Sequence, residues 1–355
     1  MSACDDEAAF PCVPRLRFGL LFRPRTPVFL IGKALVLLTL VVGQAAPALS
    51  QQPPESRGTV LVVVGATGTP EYGQQFEQWA ARWSSAAESA GTKSVTIGLE
   101  EPGKADDKTQ LQQQLAREGK NVTDALWIVL IGHGTFDGRE ARFNLRGPDV
   151  TAQELNDWLK PLSRPTAVVN CASSSGAFVP KLSAPGRAIV AATKSGHESN
   201  LARFGDAMSQ AVGDPAADLD KDGQTSLLEA FLKASRRTAE FYETAGRLAT
   251  EHALLDDTGD GLGTKADWYR GVRAVKKPKA GVEADGLRAH QFHLVPSASE
   301  EQLTPQQRER RNELEQTIDA LREKRDDLGE NAYYGQLEPV LVELARLYEG
   351  EPGGE

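Results

Sequence analysis

Trp127–Gly138 reads WIVLIGHGTFDG, and Pro165–Gly176 reads PTAVVNCASSSG. Each stretch opens on an apolar run rich in Val and Ile, Leu126–Ile131 and Thr166–Val169, and closes on turn residues. Short apolar runs bounded this way predict buried strands of a parallel sheet. A reactive side chain and small residues follow each strand: His133-Gly134 after the first, Cys171-Ala172-Ser173-Ser174 after the second. Between them Thr151–Leu162 predicts a crossover helix with Leu155, Trp158, Leu159 and Leu162 on one face. A right-handed βαβ unit sets the two strands side by side. Their carboxyl ends then share the rim where open α/β sheets place ligands. A His and a Cys on that rim are a candidate base and nucleophile.

The pattern extends both ways. Thr59–Val64 reads as a first buried strand, followed by the turn Gly65-Ala66-Thr67-Gly68-Thr69-Pro70, which is not the GxGxxG of a dinucleotide site. Glu71–Ala87 reads as a helix with Phe76, Trp79, Ala80 and Trp83 inward, Ser94–Leu99 as a strand, and Asp106–Glu118 as a helix carrying Leu111 and Leu115. Beyond Cys171, Ala188–Thr193 is a strand and Leu201–Val212 a helix. Strands alternating with helices predict a parallel sheet covered on both faces.

Residues 1–50 have the layout of a secretory leader, with Arg15, Arg17, Arg23, Arg25 and Lys33, then the apolar run Ala34–Val42, then a small-residue neck ending at Ser50. The apolar run falls short of the roughly 20 residues that span a bilayer. An uncleaved leader acting as an anchor is the alternative. Cys4 and Cys12 lie in the leader, so cleavage leaves Cys171 as the one cysteine of an exported chain. A lone thiol in an oxidising compartment reads either as a buried small hydrophobe or as a working thiol. Its place at a strand end favours the working thiol. Of 40 basic and 49 acidic residues, the leader carries five and three, leaving 35 against 46. That balance argues against a nucleic-acid partner. The basic cluster Arg270, Arg273, Lys276, Lys277 and Lys279, beside Pro278 and Gly281, reads as a solvated linker.

Two acidic stretches suggest cation loops. Asp218-Leu219-Asp220-Lys221-Asp222-Gly223-Gln224-Thr225-Ser226-Leu227-Leu228-Glu229 fits the twelve-residue calcium loop. Asp218, Asp220, Asp222, Gln224, Ser226 and Glu229 stand at ligand positions, and Gly223 stands at the sharp turn. A second match, 256–267, offers Asp256, Thr258, Asp260 and Asp267, with Asp in place of the final Glu. Ca2+ with a structural role is the expected cofactor. The remaining histidines show no zinc spacing, and His290-x-x-His293 reads as part of a terminal strand with Phe292 and Leu294. At the end, Thr304-Pro305-Gln306-Gln307 starts a helix whose Leu314, Ile318, Leu321 and Leu328 form an apolar stripe. Gly329 breaks it, and Leu337–Tyr348 returns, so 298–355 reads as a helical hairpin that packs on the main domain or binds a protein partner.

Strand–His133–Gly134, then strand–Cys171 with a small-residue turn, resembles the caspase–legumain–gingipain group of cysteine peptidases. The next strand with Ala191–Asn200, AATKSGHESN, is similar to the corresponding segment of the legumain-like C13 family. The resemblance covers Thr59–Val212, within a peptidase domain taken as 51–297. It implies a caspase-like three-layer α/β/α sandwich with a mostly parallel central sheet, here with the calcium-loop insertion and the C-terminal hairpin. It also implies Cys171 as nucleophile, His133 as acid–base, and the N–H groups of Gly134 and Cys171 as oxyanion donors. Glu71 aligns with the orienting Asn of legumains, and Val169 stands where they carry an acidic pocket residue.

The function expected on these grounds is an exported cysteine endopeptidase working through a Cys–His dyad, with calcium-stabilised structure. The alternative is a catalytically silent calcium-binding scaffold on the same fold. A serine hydrolase lacks its Gly-x-Ser-x-Gly elbow at Ser173-Ser174-Ser175. For a peptidase, the substrate is expected to add as a strand beside Ala192–Ser195. Its first side chain would meet Val169, Glu71, His197, Glu198 and Ser199. The two glutamates predict a preference for Arg or Lys.

Overall fold

A computed structural model describes residues 58–100, 103, 105–119 and 124–349. The leader, 1–50, and the last residues of the tail, 350–355, lie outside the described residues. The elements run β1 (Thr59–Val64), α1 (Pro70–Ser89), β2 (Lys93–Ile97), α2 (Asp107–Arg117), β3 (Leu126–Ile131), β4 (Gly134–Phe136), β5 (Ala141–Phe143), β6 (Val150–Thr151), α3 (Ala152–Leu159), β7 (Thr166–Asn170), α4 (Val179–Leu182), β8 (Arg187–Ala191), α5 (Phe204–Ala211) and α6 (Leu227–Thr244). Then come β9 (Leu254–Asp256), β10 (Thr264–Lys265), β11 (Tyr269–Arg270), β12 (Arg273–Ala274), α7 (Leu287–His290), α8 (Ala298–Gln302), α9 (Pro305–Glu323), α10 (Arg325–Leu328) and α11 (Glu330–Glu349).

The central sheet has seven strands in the order β10-β9-β8-β7-β3-β1-β2. The five from β8 to β2 are parallel, β9 runs antiparallel to β8, and β10 antiparallel to β9. This is the mostly parallel α/β/α sandwich that the sequence leads one to expect. β3 and β7 are direct neighbours, with Leu130 opposite Asn170. The inner strands β1, β3, β7 and β8 are buried along their whole length because helices cover both faces, so alternation with polar residues is lost there, while the edge strand β2 keeps polar and exposed positions. One core face gathers Val60, Val62, Trp127, Val129, Val169 and Val190 under α1, α5 and α6. The other gathers Leu61, Ile128, Leu130, Val168 and Ile189 under α2, α3 and α4.

Local signals place the helices. Thr69 caps α1 with Pro70 at its first position, Asp106 caps α2, and Thr151 with Glu154 forms a capping box on α3. Each cap satisfies an otherwise orphaned N–H for about 1 kcal/mol. The hairpin forms as α9 and α11, and Leu314, Ile318 and Leu321 of α9 are buried. A buried Arg311–Glu300 ion pair joins α9 to α8, and Gln291 donating to Glu315 ties the tail to the body. No strand forms at 290–294. His290 ends α7, and His293 makes an isolated bridge to Ser226. No helix among the described residues is long and apolar enough to cross a membrane.

Candidate functional site

The rim beyond β3, β7 and β8 brings His133, the Cys171 turn and the 192–198 loop together, but not as a dyad requires. Successive side chains of a strand face opposite ways. Val169 and Cys171 therefore point to the same side, into the core beneath α1 and α5, while Ala172 faces the other core. Cys171 is 1% exposed. Gly205, at the start of α5, lies against it: a Cβ there would sit 2.8 Å from Cys171 Cβ and 2.7 Å from the Trp79 ring. Burial, and secondly the negative charge of Glu251, push the thiol up to about 12. Glu251 is a residue the sequence did not single out. It accepts from the N–H groups of Arg203 and Phe204 at the start of α5 and from the Tyr242 hydroxyl. Burial raises its own carboxyl.

The oxyanion donors expected from the resemblance are both engaged. Cys171 N–H donates to Leu130 O at 2.9 Å, continuing the β3–β7 ladder. Gly134 N–H donates to Ser173 Oγ at 3.0 Å, and that hydroxyl donates back to Gly134 O at 3.1 Å. Gly134 is a glycine for close packing rather than substrate approach, since a Cβ there would meet Ser173 O at 2.3 Å. The other serines also have structural tasks. Ser174 sits in the left-handed region at φ 59°, donating its N–H to Glu198 O. Ser175 Oγ pairs with Thr193 Oγ1. None of the three hydroxyls is paired with a base.

His133 is half-buried at the rim. Its ring meets Tyr72 and Phe76 edge-on at 5.2 and 5.4 Å. Nε2 lies 3.3 Å from Thr67 O, which can only accept, so that nitrogen carries the proton. The orienting group is thus a backbone carbonyl. Glu71 is exposed in the first turn of α1, where its own N–H and the Thr69 hydroxyl lower its carboxyl.

The expected pocket is closed as well. Val169 is fully buried in the core and lines no pocket. His197 is exposed and stacks edge-on against Phe136 at 5.3 Å; Ser199 is exposed. Glu198 does not offer a free charge. It pairs with His252 Nδ1 at 2.5 Å and with Lys194 Nζ at 3.4 Å, and it accepts from the N–H groups of Lys194 and His252. Strand addition beside 192–195 is also pre-empted. Ala192 N–H donates to Asn170 O, Thr193 N–H to Ser175 Oγ and Lys194 N–H to Glu198. Of the two glutamates behind the expected Arg or Lys preference, Glu198 is thus spent on its partners, while Glu71 stays exposed. A cavity of about 630 Å³ lies at the opposite end of the strands, between Thr92, Trp127 and Pro165 and the tail residues Arg308 and Arg311.

The two acidic loops differ. In the first, Gly223 turns at φ +90°. Lys221 and Gly223 donate their N–H groups to Asp218, Asp222 donates to Asp220, and Gln224 to Asp222. Oxygens of Asp218, Asp220 and Asp222 lie within 4.8 Å of one another. Ser226 is the N-cap of α6, and Glu229 reaches back to its N–H and hydroxyl, with its other oxygen on Leu219 N–H. Three convergent carboxylates, with N–H groups orienting them, suit a hard cation such as Ca2+. Gln224 is engaged at both ends, its Oε1 accepting from Ser297 N–H and its Nε2 donating to Asp222.

The second loop closes on a carboxylate instead of a cation. Thr258 Oγ1 and Thr264 Oγ1 both donate to Asp285, which also accepts from the Asp257 and Thr258 N–H groups. Asp257 in turn accepts from Gly286 and Ala289 at the start of α7. Asp256 Oδ2 is buried without a partner, and burial raises its carboxyl. Asp260 is exposed, its Oδ1 taken by Leu262 N–H. Asp267 lies in a short helical turn that lines a different cavity with Tyr242 and Glu251. The expected ligands at 256–267 do not converge, because Asp285 supplies the acceptor their donors need.

No protein-family model and no curated protein matches the chain. Among solved structures it is similar to the initiator caspase Dronc of Drosophila, at 15% identity over 60% of this chain and 84% of that one, TM-score 0.39. It is similar to a structural-genomics target protein of Geobacter sulfurreducens at 14% identity, over 51% and 89%, TM-score 0.35. It is also similar to caspase-1 of Spodoptera frugiperda at 10% identity, over 57% and 86%, TM-score 0.38. Likenesses at that distance assign no activity and no site residue to this chain.

Proposed function

We propose that this chain is a non-hydrolysing member of the caspase-like architecture, an exported scaffold stabilised by Ca2+ at 218–229 that recognises other proteins through its C-terminal hairpin. One observation carries the proposal: the thiol is sealed in the core while both expected oxyanion donors are spent on Leu130 and Ser173. Acyl transfer needs an accessible thiolate and at least one free N–H aimed at the developing oxyanion. The hairpin supports the binding role by leaving Tyr334, Leu341, Val342 and Tyr348 of α11 exposed. The test is turnover of a fluorogenic peptide library by wild type and Cys171→Ala, with and without calcium. Equal background rates are expected; hydrolysis that Cys171→Ala abolishes overturns the proposal.

The second reading is the exported cysteine endopeptidase with Cys171 and His133. The observation favouring it is the half-buried His133 directly before Gly134 on the rim. It requires α5 to withdraw from Cys171 and Ser173 to release Gly134. A peptidyl acyloxymethyl ketone that labels Cys171 in the folded protein would select it.

A further inference from the structure

The four carboxylates of the first acidic loop have no basic partner of their own. Among the described residues no Lys or Arg nitrogen pairs with Asp218, Asp220, Asp222 or Glu229; Lys221 Nζ turns to the Asp218 carbonyl oxygen instead. Yet Asp218 and Glu229 are both buried. Among the described residues the basic side-chain nitrogen that does reach the group comes from elsewhere in the chain. His290, the last residue of α7, places Nε2 2.9 Å from Asp220 Oδ2. Ligand atoms of Asp220, Glu229 and His290 lie within 4.8 Å of one another. Sequence spacing hides this cluster, because His290 is 70 positions from Asp220.

We propose that Asp220, Glu229 and His290 form a mixed nitrogen–oxygen site for a borderline divalent metal such as Zn2+. The site is distinct in donor set from the all-oxygen calcium loop and shares Asp220 with it. An imidazole adds little for Ca2+, which takes oxygen ligands, and much for Zn2+, which takes His and carboxylate together. Tetrahedral donors about 2.0–2.1 Å from zinc stand about 3.3 Å apart, so the three need to close by about 1.5 Å at most. The carboxylates are already aimed: Glu229 is held by Leu219 and Ser226, and Asp220 Oδ1 by Asp222 N–H, which leaves Oδ2 toward His290. A metal there would join two parts of the chain that now meet through Leu227 N–H to Phe292 O and Ser297 N–H to Gln224. It would thus fasten the segment that leads into the tail helices. This rests on the calcium-loop reading only through Asp220.

The experiment is calorimetric titration of metal-free full-length protein with ZnCl2 and, separately, CaCl2, with melting temperature as a second readout. His290→Gln is expected to weaken Zn2+ by at least about 10-fold, a loss seen even for groups that only orient a metal ligand, and to leave Ca2+ affinity within about 2-fold. Asp222→Asn is expected to do the reverse; because it leaves all three zinc donors in place, it also controls for folding. Zn2+ affinity unchanged in His290→Gln, or absent in wild type, overturns the mixed site even if Ca2+ binds. Zn2+ binding through His290 with no Ca2+ binding sustains the mixed site and removes the calcium reading.

Discussion

If the fold holds Cys171 as described, its chemistry is quantitatively suppressed. A thiolate, not a thiol, reacts with electrophiles. Moving the group from its ordinary 9.0 to about 12 lowers the thiolate fraction at pH 8 by roughly three powers of ten. Packing under Gly205 and Trp79 adds a further barrier, because the reagent must wait for local opening. The assay is iodoacetamide alkylation of the Cys4→Ala/Cys12→Ala protein, followed by mass spectrometry in buffer and in denaturant. Native labelling should run at least about 10³-fold slower than in the unfolded chain. It should still climb about tenfold per pH unit between pH 8 and 11 while the fold persists. Native labelling within about tenfold of the unfolded rate, or a plateau near pH 9, would refute the buried-thiol argument and return Cys171 to the rim.

Three further outcomes follow from named contacts. Gly205→Ala should destabilise by about 1–3 kcal/mol in urea titrations, since the new methyl meets Cys171 and Trp79 inside van der Waals contact. A neutral effect would mean α5 is not pressed against the thiol. Adding millimolar calcium to chelated protein should raise the melting temperature, by the equivalent of about 2.7 kcal/mol at 100-fold over Kd, and Asp218→Asn should remove the rise. Burial lifts the Asp285 carboxyl from 3.8 to about 7, so the folded state holds that proton more tightly than the unfolded chain. Its contribution is complete below about pH 4 and lost as pH rises through 7. Wild type should therefore lose stability across that window relative to Asp285→Asn, and the opposite slope would contradict the assignment.

Much of the architecture was legible because it is local. β1, β3, β7 and β8 announce themselves as unbroken apolar runs, and Thr69, Asp106, Thr151 and Thr304 mark their helices within one turn. The rim was legible only as a neighbourhood. That Cys171 follows Val169 by two was a signal available in the sequence: period two puts it on the face shared with Trp127, Val129 and Ile131. Residue type and a place at a strand end point to the rim, and the alternation points to the core. What closes the site could not be read at all. Gly205, Glu251 and His252 reach Cys171 and Glu198 across 34 to 80 residues of chain, and no spacing rule links them. The same holds for Asp285, which takes the donors that the 256–267 pattern had reserved for a cation.

That last substitution connects the two acidic loops. Both are Asp-rich turns that must gather several groups into one tight knot, and each needs a centre of opposite character. In 218–229 the convergent groups are carboxylates, so the knot calls for a cation, and α7 contributes an imidazole to it through His290. In 256–264 the convergent groups are N–H and hydroxyl donors, so the knot calls for an acceptor, and the residue before Gly286 supplies it as Asp285. The short segment 285–290 therefore serves both, with an acceptor at one end and a nitrogen donor at the other. Its position is fixed from two sides, and the tail leaves from the fixed end through Phe292 and Ser297. Loss of either centre should loosen the same segment. If the proposed metal site is filled, metal and proton occupancy are expected to act on the docking of the C-terminal helices, while the sheet beside His133 and Cys171 stays as packed as before.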